Sequence, residues 1–71
     1  MNMSDLRERR NMPFLRKGMK VEVNGNIGIL KGGDCYGLLI VDFNGEIKYC
    51  NPKVKTRYFD KENKMIADYY G

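Results

Sequence analysis

Gly18-Met19-Lys20-Val21-Glu22-Val23-Asn24-Gly25-Asn26-Ile27-Gly28-Ile29-Leu30 is the stretch that sets the fold. Met19, Val21 and Val23 alternate with Lys20 and Glu22, the period-two pattern of a strand buried on one face. Asn24-Gly25 supplies two residues that tolerate positive φ, which a tight type I′ hairpin requires. A second strand follows over 26–31, with Ile27 and Ile29 on one face. Gly28 inside it predicts a bulge or a sharp coil.

The same grammar continues outward. Gly32-Gly33-Asp34 reads as a turn, and Tyr36 to Phe43 as a central strand. Its Leu38-Leu39-Ile40-Val41 run is apolar on both faces. One face is expected to fill the core. The other is expected to be covered by Phe14 and Leu15, by the C-terminal segment, or by a second subunit. Asn44-Gly45 repeats the hairpin signal, and Glu46 to Cys50 follows with Ile47 and Tyr49 expected inward. Asn51-Pro52 breaks the ladder, because proline has no amide proton and restricts the residue before it. A single 3₁₀ turn is expected there. Val54 to Phe59 reads as a fifth strand, Asp60 to Lys64 as a polar loop, and Met65 to Tyr69 as a short sixth strand or a final turn.

Short strands joined by tight turns predict an all-β fold, a small SH3-like barrel of five to six antiparallel strands over residues 16–71. Residues 1–15 read as a basic N-terminal arm, mostly disordered or short-helical. Ser4 is the expected N-cap, Leu6 the only apolar anchor before Met12, and Pro13 the stop. The chain has 71 residues, and a domain of this size buries only about 60% of its unfolded surface. A deep substrate cavity is therefore not expected.

The pattern Gly18-x-x-Val21-x-Val23, then Gly25-x-x-Gly28-x-Leu30, resembles the KOW motif of ribosomal and transcription-elongation SH3-like barrels, over 13 of the 71 residues. The resemblance implies a barrel fold and an RNA-binding role. Here the loop between the two halves is Asn24-Gly25, which is short and uncharged where the KOW loop is longer and often basic. Further on, Phe43-Asn44-Gly45-Glu46 and Asn51-Pro52 with Tyr58 and Asp60 are similar to small uncharacterised phage and prophage proteins, which implies no mechanism.

Composition narrows the chemistry. There is no histidine, so the commonest general base at neutral pH is missing. Cys35 and Cys50 lack the CxxC spacing of a structural zinc site. No phosphate-binding glycine loop is present, because Gly32-Gly33 is not followed by Gly-Lys-Ser/Thr. Cys35 has no histidine to activate it and reads as a small side chain in a turn. The expectation is a binding module with no catalytic residues, no metal site and no cofactor. No apolar run reaches the roughly 20 residues that span a bilayer, and the N-terminus is polar. A cytoplasmic address with both thiols reduced is expected, a Cys35–Cys50 disulfide being the alternative.

Net charge is +4, and its location matters more than its size. Residues 1–20 hold six basic and two acidic side chains, whereas residues 21–71 hold seven of each. The barrel is thus neutral overall. Two positive features remain as candidate binding surfaces. One is the arm, with Arg7, Arg9, Arg10, Arg16 and Lys17. The other is a patch of Lys48, Lys53, Lys55 and Arg57, placed on strands four and five as neighbours, with Tyr58 and Phe59 near its rim. Tyr58, Phe59, Tyr69 and Tyr70 could also line a peptide groove. The neutral barrel favours a protein partner, engaged by an adaptor or inhibitor through the barrel face and arm. RNA or DNA on the arm and the Lys48–Arg57 patch is the alternative, since such binding depends on neutralised phosphates. No membrane or small-molecule partner is expected. A monomer is favoured, with a homodimer as the alternative.

Overall fold

The computed structural model describes residues 2–70. The chain is all-β apart from one short helix. In order it forms helix α1 (Met3–Arg10) and strands β1 (Lys20–Val23), β2 (Asn26–Gly33), β3 (Leu39–Phe43), β4 (Glu46–Cys50), β5 (Thr56–Phe59) and β6 (Met65–Asp68). The six strands make one antiparallel sheet in the order β4-β3-β2-β1-β5-β6. The all-β class and the six antiparallel strands are as the sequence pattern predicts, and the sheet does not close. Among the described residues no helix is long and apolar enough to cross a membrane.

Both Asn-Gly turns form as read. Asn24 and Gly25 have φ of 51° and 86°, and Asn44 and Gly45 have 56° and 96°. These left-handed pairs match the right-handed twist of the flanking strands. The turn after β2 lies later than expected. Gly32 and Gly33 continue the strand, and Asp34 builds the turn by accepting from the Tyr36 and Leu38 amides at 2.9 and 2.8 Å. This Asx geometry outcompetes the glycine pair, and it delays β3 to Leu39. In the same way Lys55, at φ 49°, belongs to the turn before β5 rather than to a strand. The break at Asn51–Lys55 is a turn, with the Val54 amide on the Asn51 carbonyl.

Gly28 makes no bulge, and β1 and β2 pair without interruption. It is glycine for another reason. A Cβ there would meet Val41 Cγ1 at 2.6 Å and the Phe43 ring at 2.9 Å. The one irregularity of β2 falls between Leu30 and Gly32, where the register against β3 shifts. An extra residue bends a strand and increases its twist, and here the bend carries Gly33 toward α1.

The core among the described residues is Leu6, Met12, Leu15, Val21, Leu30, Leu39, Val41 and Tyr58, all fully buried. Three of these come from the segment read as an arm. Asn2, not Ser4, caps α1 by accepting the Asp5 amide at 2.8 Å, and Asn11 ends it at φ 54°. A helix of eight residues has little stability of its own. Burial of Leu6 holds it: a Cβ on Gly33 would stand 2.8 Å from Leu6 Cδ2, so the leucine rests on bare backbone.

Tyr58 lies at the centre. Its hydroxyl donates to the Pro52 carbonyl at 2.6 Å, and its ring meets Phe14 and Tyr69 edge-on at 5.2 and 5.9 Å. Burial, reinforced by the neighbouring Tyr69 phenol, holds the proton on this hydroxyl well above the usual tyrosine range.

Two substitutions test this packing. Leu6→Ala should cost about 2–5 kcal/mol in urea denaturation, a large share of the roughly 4–10 kcal/mol a chain of this length holds. A cost below about 1 kcal/mol would show that α1 contributes little to the core. Tyr58→Phe should cost about 1–3 kcal/mol by stranding the buried Pro52 carbonyl. Above about pH 10 the unfolded phenol ionises while the folded one keeps its proton. The native state then binds more protons, and stability falls as pH rises. That alkaline slope should shrink in Tyr58→Phe, and an unchanged slope would assign it elsewhere.

Candidate functional site

The sheet has an inner face on the core and an outer face toward solvent, and the register defines both. Lys20 pairs with Ile29 on one side and with Phe59 on the other. These three side chains therefore form a row across β2, β1 and β5 on the outer face. The chain just before β1 runs over one end of that row, held by the Gly18 amide on the Leu30 carbonyl and the Leu30 amide on the Met19 carbonyl. The β5–β6 loop flanks the other side.

Between them lies a groove of about 470 Å³. Its apolar lining is Phe14, Met19, Ile29, Phe59 and Ile66, and Arg16, Lys17, Lys20 and Lys61 bring four cations to it. The one carboxylate there is Asp60, which accepts the Glu62 and Lys64 amides at 2.8 and 2.9 Å and so is engaged in its own loop. The Lys20 ammonium stands 4.6 Å from the centre of the Phe59 ring. A cation over an aromatic face is held there by the ring quadrupole, and it covers that face.

The sequence-predicted positive features are distributed differently. Lys48 and Arg57 do not share a patch, because β3, β2 and β1 separate β4 from β5. Assigning the neighbours of β5 from chain order places β4 beside it, whereas β1 and β6 take both positions. Arg57 is also fully engaged: its guanidinium contacts Glu22 at 3.1 Å and Asp68 at 3.4 Å, and it stacks on Tyr70 at 4.0 Å. Lys48 sits 3.7 Å from Glu46. Lys53 and Lys55 are exposed in the turn before β5. Tyr58 is buried and offers no surface, while Tyr69 and Tyr70 are half-buried against the sheet. Phe59 alone of the four aromatics lines the groove.

The arm arginines divide into two groups. Arg7, Arg9 and Arg10 donate to the carbonyls of Leu15, Cys35 and Gly37 at 2.9, 3.2 and 2.9 Å. Arg9 and Arg10 fasten α1 to the turn after β2, and Arg7 ties it to the segment before β1. Arg16 donates to the Pro13 and Leu15 carbonyls, and together with Lys17 it faces the groove.

The thiols do not pair. Cys35 is exposed, and Cys50 is half-buried, with burial pushing its thiol up and the Lys48 ammonium partly offsetting this. Among the described residues no three or more Cys, Asp or Glu side chains converge on a common point.

Phe14, Met19, Lys20, Ile29, Lys61 and Ile66 were not read from sequence as site residues. The available signal was the exposed-face position of Ile29 within a period-two strand, but only the β1–β5 pairing sets Phe59 beside it. The chain matches no family model, no curated protein and no solved structure with which it was compared.

Proposed function

We propose that this chain is a non-catalytic binding module, an adaptor or inhibitor, that holds a segment of a protein partner in the groove between residues 14–20 and 59–63. The observation that carries this reading is the combination of an apolar floor with four cations and a single, internally engaged carboxylate. Such a surface complements an extended segment that bears an apolar anchor flanked by Asp or Glu. The anchor gains free energy by leaving water, and the charges set orientation and rate of encounter.

Nucleic acid is the less suited occupant. Stacking of bases needs open aromatic faces, and the Phe59 face already carries Lys20. Arg7, Arg9 and Arg10 are committed to backbone carbonyls. The absence of histidine from the chain favours binding over acid–base catalysis.

Amide chemical-shift titration tests the reading with three probes: an acidic peptide with Phe and Leu anchors, its Glu→Gln counterpart, and a single-stranded oligonucleotide. The acidic peptide should shift residues 14–20, Ile29 and 59–63. Lys17→Glu with Lys61→Glu should weaken it roughly tenfold or more. No shift with the acidic peptide, or tighter binding of the oligonucleotide at these residues, would overturn the proposal.

A further inference from the structure

Strand β4 is an edge of the sheet, hydrogen-bonded only to β3. Exposed edges invite pairing with another chain, and proteins commonly blunt them with bulges, prolines or charged side chains, lysine above all. The opposite edge has such a device, since the β5–β6 register shifts between Tyr58 and Phe59. Strand β4 has only its charges, Glu46 and Lys48. It pairs with β3 over five residues without a shift and contains no proline.

Its backbone presentation follows from the hairpin. With Phe43 and Glu46 closing the two-residue turn, Glu46, Lys48 and Cys50 direct their amides and carbonyls to β3. Ile47 and Tyr49 direct theirs to the open side. The side chains of Ile47 and Tyr49 are also 50% and 60% exposed, contrary to the inward placement expected from sequence. They share the outer face with Ile27, Ile29 and Ile40, since Asp42 pairs with both Ile29 and Ile47 and Ile40 pairs with Tyr49. The arm reaches this face only at the groove, where Phe14 lies near Ile29, because Leu6, Met12 and Leu15 go to the core instead.

We propose that β4 pairs antiparallel with β4 of a second copy of this chain, in the register centred on Ile47. The charge pattern selects this partner and this register. Centred on Ile47, each Glu46 stands opposite Lys48 of the other copy, and the two Ile47 residues face each other with their free backbone groups aligned. Centred on Lys48, two ammonium groups oppose directly, which is destabilising. Centred on Tyr49, Glu46 and Lys48 stand opposite Pro52 and Cys50 and find no charge partner. Lys48, which alone would deter association, becomes half of a complementary pair because Glu46 lies two residues before it on the same face. The product is a continuous sheet of two copies, with Ile40, Ile47 and Tyr49 of each on a shared outer face around Asp42. No groove residue lies on β4, and Ile29 alone of them belongs to the outer-face cluster beside it, so the pairing of β4 is tested separately from the proposed function.

Sedimentation equilibrium over a concentration series tests it, with amide spectra verifying the fold of each variant. The wild-type chain should dimerise with a dissociation constant below about 1 mM. Glu46→Lys and Lys48→Glu each turn two attractive cross-pairs into repulsive ones, and each should weaken association roughly tenfold or more. An equimolar mixture of the two variants should recover it as a heterodimer. The double variant should recover it as a homodimer. A wild-type chain that stays monomeric overturns the proposal, and so does a double variant as weak as the single ones.

Discussion

Leu6 seated on the bare backbone of Gly33 is the contact on which the arrangement depends. A sheet of six short strands encloses a small volume, and the strands alone supply only Val21, Leu30, Leu39, Val41 and Tyr58 to it. The helix brings Leu6, and the segment after it Met12 and Leu15, to one side of that volume. It does so because β2 bends after Leu30 and presents a residue with no side chain where the leucine arrives. The bulge, the glycine and the helix are parts of one solution to the thin core of a small domain. The arginines complete it, since α1 is tied by Arg9 and Arg10 to the turn that follows Gly33.

The strands and hairpins were legible because their signals are local. Period-two alternation and two Asn-Gly pairs determine β1 to β4 with little help from distant residues. Three features were not legible, each for a physical reason. The turn after β2 depends on one carboxylate oxygen of Asp34 accepting two amides, which composition does not distinguish from a glycine turn. The facing of β4 depends on its edge position, where an isoleucine and a tyrosine are left in solvent. The separation of Lys48 from Arg57 depends on which strands sit beside β5, a long-range choice no local pattern encodes.

Charge shows the same division between number and place. The excess of basic residues at the N-terminal end was plain in the sequence. That Arg7, Arg9 and Arg10 would donate to backbone carbonyls was not, because their acceptors lie in segments brought near only by folding. Arg57 is likewise consumed by Glu22, Asp68 and Tyr70, which stitch β1, β5, β6 and the chain end together. Exposed pairs of this kind contribute little stability singly, and a network with a planar guanidinium at its centre contributes more.

The Lys20–Phe59 pairing gives the groove a property that neither of its walls has alone. Its two sides are far apart in the chain and meet only when β1 and β5 join. A local opening of that seam would abolish the groove while leaving the β2-β3-β4 meander paired. Whatever occupies the groove therefore binds the closed chain and not the opened one, and by linkage it shifts the population toward closure. A ligand held there would act as a clasp, fastening the β1–β4 meander to the β5–β6 hairpin.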